Sequence, residues 1–197
     1  MVNERHGQRY LRRLHQEDFC QALGRFPAEK YEKDGGPGWV ECFALMDLTE
    51  DPFTARSELL QRAIFQYLIG NPDAHAKNYA LVYKNDRLAL SKLYDVNNAA
   101  AFRARYKEQR PRLAMFVGGT RNPDDLSPGH WRQFSQDIGI RWEIVRDRLA
   151  AMARDLPRTG AEVRHSMAGT LADTDLLDLA LDDVSRRCKT TSETLNI

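Results

Sequence analysis

The feature that most constrains the fold of this chain is a broad apolar helical stripe that stops at a Gly-Asn-Pro triplet. Phe53, Leu59, Leu60, Ala63, Ile64, Tyr67 and Leu68 recur at the spacing of one helix face, which predicts a helix over 53–68 with one side in the core. Gly70-Asn71-Pro72 ends it, because proline disfavours helical backbone in the residue before it. The polar run that follows, Asp73-Ala74-His75-Ala76-Lys77-Asn78, is therefore expected on a loop held by a buried scaffold, where function-bearing side chains are commonly carried.

The rest of the chain reads around that helix. Residues 79–83 and 87–90 are β-leaning and separated by Lys84, Asn85 and Asp86, so a two-stranded hairpin is expected. Asp95 lies just past its second strand, and the pairing gives it a route back to Asn78. Upstream, 14–23 reads as a short helix ending at Gly24, 27–38 as a Gly/Pro-rich loop, and 39–48 as a second helix. Residues 97–110 are polar and give no clear element. Residues 118–128 form a loop, and Ser127-Pro128 opens a helix to about Ile138, with Pro at the favoured first position. Gly139 separates it from a helix over 141–156 carrying Trp142, Val145, Leu149 and Met152. A further long helix is expected from Thr159 to about Arg187, with a frayed tail from Lys189. The expected architecture is mainly α (α+β) with one small hairpin, organised as a lead-in (1–11), a main lobe (12–156) and a C-terminal helix and tail (157–197).

Charge and cysteine content narrow the function classes. With 29 basic and 28 acidic side chains the formal net charge is +1, which supports no global attraction to nucleic acid or membrane. Local basic clusters, Arg9 with Arg12 and Arg13, and Arg103 with Arg105, Lys107 and Arg110, read as solvated faces; they are the sole motive for a nucleic-acid-binding alternative. Cys20, Cys42 and Cys188 are odd in number and far apart, without zinc spacing or a disulfide framework. The first ten residues lack the apolar run of a signal peptide, and no apolar run matches a membrane span. A cytoplasmic protein is expected.

Asp73 or Asn78 alone would suit an ordinary turn. Together with Asp95 they form the set that phosphoryl transfer requires: one carboxylate to take or orient the proton of an attacking hydroxyl, and an amide and a second carboxylate to hold Mg²⁺ on the phosphates. The Asp73–Asn78 spacing equals that of the catalytic loop of protein kinases, although Tyr94-Asp95-Val96 differs from the usual Asp-Phe-Gly. His75 either hydrogen-bonds within the loop or contacts phosphate, and Lys77 can place a point charge near the transferring group. His6, His15, His130 and His165 are too scattered to form a metal site with His75. No Gly-x-Ser-x-Gly elbow or catalytic cysteine signature supports a hydrolase, and the three tryptophans fit core stripes.

These residues carry a resemblance. Arg13-Leu14-His15-Gln16-Glu17-Asp18-Phe19-Cys20-Gln21-Ala22-Leu23-Gly24, Lys30-Tyr31-Glu32-Lys33-Asp34-Gly35-Gly36-Pro37-Gly38, the block from Leu68 to Asn78 and Leu93-Tyr94-Asp95 resemble successive segments of the C-terminal part of the HipA family, serine/threonine kinase toxins of bacterial toxin–antitoxin systems. Weaker similarity continues through Leu113-Ala114-Met115 and the helix of Trp131. The resemblance implies the helical C-terminal lobe of a kinase-like fold, with Asp73 as catalytic base, Asn78 and Asp95 as Mg²⁺ ligands, and His75 and Lys77 on the nucleotide side. It implies ATP and Mg²⁺ as cofactors and an antitoxin-type protein as partner. Acceptors in the family include aminoacyl-tRNA synthetases phosphorylated on serine.

Family members also carry an N-terminal lobe with a phosphate-binding loop and a strand lysine. No Gly-rich loop followed by a strand lysine precedes Asp73, and Gly35-Gly36-Pro37-Gly38 lacks the glycine spacing of a phosphate cradle. The expectation is a catalytic lobe that needs a separately supplied N-terminal lobe. The alternative is an inactive truncated remnant that serves as an antitoxin-type interaction module.

Overall fold

A computed structural model describes the backbone of residues 2–5 and 8–11 and all of residues 13–84, 87–99 and 111–197. The turn residues Asn85 and Asp86, Arg12, and the basic cluster of Arg103, Arg105, Lys107 and Arg110 lie outside them.

The expected stripe forms the central helix. Asp51 caps its start through a 3.0 Å bond from Thr54 N to Asp51 Oδ1, Pro52 occupies the first turn, and the helix (α3, Pro52–Leu68) buries Leu59, Leu60, Ile64 and Leu68 completely or nearly so. Phe53, expected on that stripe, is instead 84% exposed, and Ala55, 6% exposed, takes the core-facing position of that first turn. A second helix (α2, Trp39–Met46) starts at Gly38 and contributes Trp39 and Phe43, whose rings meet Phe134 edge-on. Phe134 and Trp131 come from a helix (α4, Pro128–Asp137) entered through Ser127-Pro128 as its sequence predicts, and Trp131 meets Tyr67 of α3 at 5.2 Å. This aromatic cluster is the centre of the molecule. Burying each such side chain contributes roughly 1.5–3 kcal/mol, so α3 is fixed on three sides before the polar loop begins.

The hairpin is present as β4 (Ala80–Lys84) and β5 (Arg87–Leu90), but the sheet has three strands. His15–Asp18 (β3), expected as the first part of a helix, pairs antiparallel with β4 instead, His15 opposite Tyr83 and Asp18 opposite Ala80. Helix remains only at Phe19–Ala22 (α1), where Asp18 and Gln21 form a reciprocal capping box and Gly24 turns the chain at φ +66°. The edge of β4 supplied pairing partners that no local propensity could reveal. At the N-terminus Val2–Arg5 (β1) and Gln8–Leu11 (β2) pair as a separate antiparallel ribbon.

The C-terminal helices also differ from expectation. The helix expected to stop at Leu156 runs from Trp142 to Met167 (α5), straight through Pro157, and the break falls at 168–174 with Gly169 at φ +73°. The last helix (α6, Asp175–Leu195) lies back along α5. The two approach so closely that a Cβ on Gly160 would fall 2.9 Å from Leu181 Cδ2, and Arg164 clamps the turn by bonding Asp173 and Asp178. Packing against a partner helix along this length outweighs the lost proline donor. The tail expected to fray from Lys189 is helical to Leu195, with Thr191 and Leu195 buried. No helix among the described residues is long and apolar enough to cross a membrane.

Candidate functional site

The loop after α3 is held by its own polar groups. Gly70 takes φ +71°, and a Cβ there would lie 2.9 Å from Asp183 Oδ2 and 3.0 Å from Arg187 Nη2 of α6. Asn71, almost fully buried, then donates through Nδ2 to Gln66 Oε1 at 2.8 Å and accepts from the Asp73 N–H at 3.0 Å. The Asp73 carbonyl accepts two bonds, from His75 N and from Asn78 Nδ2, both at 2.8 Å. A single 3₁₀ turn over Ala76–Asn78 closes the loop into β4. Asp73 and Asn78 are thus locked together by a side-chain-to-backbone bond, and with Nδ2 engaged the amide oxygen is the acceptor end of the Asn78 side chain.

Asp95 joins them through its neighbours. The Tyr94 hydroxyl donates to Lys77 O at 2.7 Å, and Asn71 Nδ2 reaches Asp95 O at 3.4 Å. Beyond it, Asn98 Nδ2 bonds Ile69 O at 2.6 Å and Ala99 N bonds Gly70 O at 3.1 Å. Asp95 itself sits at φ +53°, a left-handed conformation unusual for a side chain of this type, with Asn97 Nδ2 donating to its Oδ1 at 3.1 Å. Burial, with Asp18 and Asp95 nearby, pushes the Tyr94 phenol up to about 12, so it stays a donor across the physiological range.

His75 is buried, and its Nδ1 has no hydrogen-bond partner among the described residues. Its Nε2 lies 3.8 Å from Asp73 Oδ1, yet burial lowers its pKa against the pull of that carboxylate, so the neutral imidazole is the resident form and the contact is not an ion pair at neutral pH. Lys77 places its ammonium 3.8 Å from Asp18 Oδ2, a pairing the sequence did not suggest. Tyr31 was also missed as a site residue: its hydroxyl donates to Asp73 Oδ1 at 2.6 Å from 42 residues away. Asn71 was read only as a helix stop, although Asn followed two residues later by Asp is the pattern of a side chain bonding the backbone of its own turn.

Among the described residues no three His, Cys, Asp or Glu side chains gather into a metal-binding group. The oxygens of Asn78 and Asp95 are hard donors and few, which suits a cation that keeps waters and takes phosphate oxygens as its remaining ligands, as Mg²⁺ does. The arrangement can hold a proton acceptor beside a divalent ion on oxygen donors.

Residues 2–159 match the model of the HipA-like C-terminal domain. The chain is 32% identical over 180 residues to a Sinorhizobium fredii protein named "Putative kinase Y4mE", covering 91% of this chain and 42% of that protein. It is 30% identical over 167 residues to the serine/threonine-protein kinase toxin HipA of Shewanella oneidensis, covering 79% of this chain and 37% of that protein. Among solved structures, HipA of Shewanella oneidensis, in a complex of HipA, HipB and operator DNA, superposes with a TM-score of 0.85 at 24% identity, over 100% of this chain and 49% of that one. The chain therefore spans half or less of the length of these relatives, and over that span it shares the fold of the solved HipA structure. By the family match and the identity to kinase-named relatives, the chain belongs to the family of HipA-like C-terminal domains.

Proposed function

We propose that the chain is the catalytic lobe of a HipA-like serine/threonine protein kinase, which transfers phosphate together with a nucleotide-binding lobe. The observation that carries this reading is the Asn78 Nδ2 bond to the Asp73 carbonyl, which fixes base and amide ligand at kinase-loop spacing beside the segment of Asp95. In this reading Asp73 accepts the proton of a protein serine hydroxyl as its oxygen bonds the γ-phosphorus and the bond to the ADP oxygen breaks. Asn78 and Asp95 would hold Mg²⁺, which neutralises charge on the phosphate oxygens when bound. Buried, neutral His75 adds no positive charge of its own and packs the floor beneath Asp73, while Lys77, paired with Asp18, supplies a cation at the nucleotide side of the loop. Positioning and electrostatics do most of the work in this chemistry, so the chain without a nucleotide-binding lobe is expected to transfer phosphate slower by several powers of ten.

The solved relative was captured with HipB, and this supports an antitoxin-type protein as partner. It also motivates a second reading, a non-catalytic lobe that docks such a partner. Calorimetric titration with ATP and Mg²⁺, run beside Asp95→Ala, separates the two. Binding that the variant abolishes is expected. Equal binding by both proteins overturns the metal assignment, and two folded proteins that bind nothing favour the docking reading.

A further inference from the structure

The Gly-rich stretch 30–38 has no part in the chemistry above, yet it is built around one side chain aimed at the catalytic loop. Tyr31 donates to Asp73 Oδ1 at 2.6 Å, and His75 Nε2 stands 3.8 Å from the same oxygen. The Tyr31 ring meets His75 nearly edge-on, with centroids 5.2 Å apart and planes at 78°, and Lys30 Nζ covers the ring at 4.9 Å from its centroid.

The glycines hold this tyrosine in place. Asp34 N and Gly36 N both donate to the Tyr31 carbonyl at 3.0 Å, and Gly35 between them takes φ +87°. A Cβ on Gly36 would fall 2.2 Å from Glu29 O and 2.8 Å from Tyr31 O. A Cβ on Gly38 would fall 2.3 Å from Glu32 Oε1, while Glu32 Oε2 accepts from Phe116 N at 2.6 Å and ties the stretch to the backbone of that later segment. Gly36 permits a backbone approach that a side chain would block, Gly35 supplies the left-handed turn beside it, and Gly38 leaves room for the Glu32 carboxylate; together they fix the base of Tyr31.

We propose that Tyr31 is a positioning residue for Asp73: its hydroxyl holds Oδ1, so that Oδ2 is the oxygen presented to the incoming acceptor hydroxyl. The proposal takes its purpose from the phosphoryl-transfer reading. An exposed carboxylate on a loop samples several rotamers, and one short bond to a fixed phenol removes most of that freedom before the acceptor arrives. The contact is not a lid, because the Asp73 side chain remains 45% exposed with Tyr31 in place.

The test is NMR on the isotopically labelled chain. Three-bond couplings about the Asp73 side chain are expected to report one rotamer in the wild type and an averaged set in Tyr31→Phe, which keeps the ring against His75. Gly36→Ala should give the same averaging, and combining it with Tyr31→Phe should add nothing. Identical couplings in the wild type and Tyr31→Phe overturn the proposal. A second measurement needs no tyrosine substitution: the Tyr31 hydroxyl proton should resonate downfield in the wild type and vanish from that region in Asp73→Ala, and its absence from the wild-type spectrum also overturns the proposal. Neither readout uses phosphoryl transfer, so a chain that passes both but is inert with its nucleotide lobe overturns the proposed function alone.

Discussion

Replacing Asn71 with alanine tests whether the loop is held as its geometry indicates, since Asn71 touches α3, the backbone of Asp73 and the carbonyl of Asp95. Its Nδ2 bond to Gln66 Oε1, 2.8 Å between two buried side chains, is the dominant contact. Cutting it strands Oε1 beside Gln66 Nε2, which has no partner among the described residues, and a stranded buried acceptor costs about 1–3 kcal/mol. The bond from Asp73 N at 3.0 Å contributes about 0.5–1 kcal/mol more, because water can replace it in the half-buried loop. The contact to Asp95 O at 3.4 Å is long and adds little. A small cavity of about 20 Å³ lined by Gln66, Asn71 and Ala74 would grow, and a water entering it would recover part of the loss. The sum is a destabilisation of about 1.5–4 kcal/mol by urea denaturation, or a Tm lower by about 3–16 °C for a chain of this size. In a Gln66→Met background, where no acceptor is stranded, Asn71→Ala should cost about 1–2 kcal/mol less. A loss below about 0.5 kcal/mol, or the same loss in both backgrounds, would refute the reasoning.

Other substitutions probe the surroundings of the site. Arg187→Leu removes the more buried of the two arginines bonded to Asp183, whose side chain is 4% exposed, so it should cost about 2–4 kcal/mol in urea melts, while Arg186→Ala, at the half-exposed partner, should cost less than about 1 kcal/mol; equal costs would contradict the assignment. Burial pushes the Asp183 carboxyl up, but Arg186 and Arg187 hold it below its ordinary value of 3.8, so this stability is present above that pH and lost as pH falls below it. Arg187→Leu should flatten the acid limb of a stability profile accordingly. His75 has the depressed pKa of a buried imidazole, so its contribution is present above about 6.5 and lost as pH falls toward the folded value; His75→Gln should remove that slope from a plot of unfolding free energy against pH. At Asp95, φ +53° predicts that Asp95→Asn keeps its stability while Asp95→Val loses about 1–2 kcal/mol or more, measured by thermal and urea melts; equal melts would show that the left-handed backbone carries no strain.

What the sequence determined by itself was whatever depends on neighbours along the chain. The α3 stripe, its Asp51 cap and its stop before Pro72 are set within one or two helical turns, as are the Ser127-Pro128 entry to α4 and the pairing of β4 with β5. The core of the site was legible for the same reason: Asn78 reaches Asp73 across five residues, so their spacing carries the geometry. The tertiary structure decided what depends on partners brought from afar. His15–Asp18 became a strand because β4 offered an unpaired edge, and α5 crosses Pro157 because α6 packs along it. Thr191, in a stretch expected to fray, is buried against the hydroxyl of Tyr67 at 3.0 Å, 124 residues away. Tyr31 and Lys77 found Asp73 and Asp18 in the same way. A capping residue or a periodic stripe acts through its immediate neighbours and is written in the order of residues. A strand partner or a hydroxyl held on a distant carboxylate exists only once the core has closed the intervening chain into place.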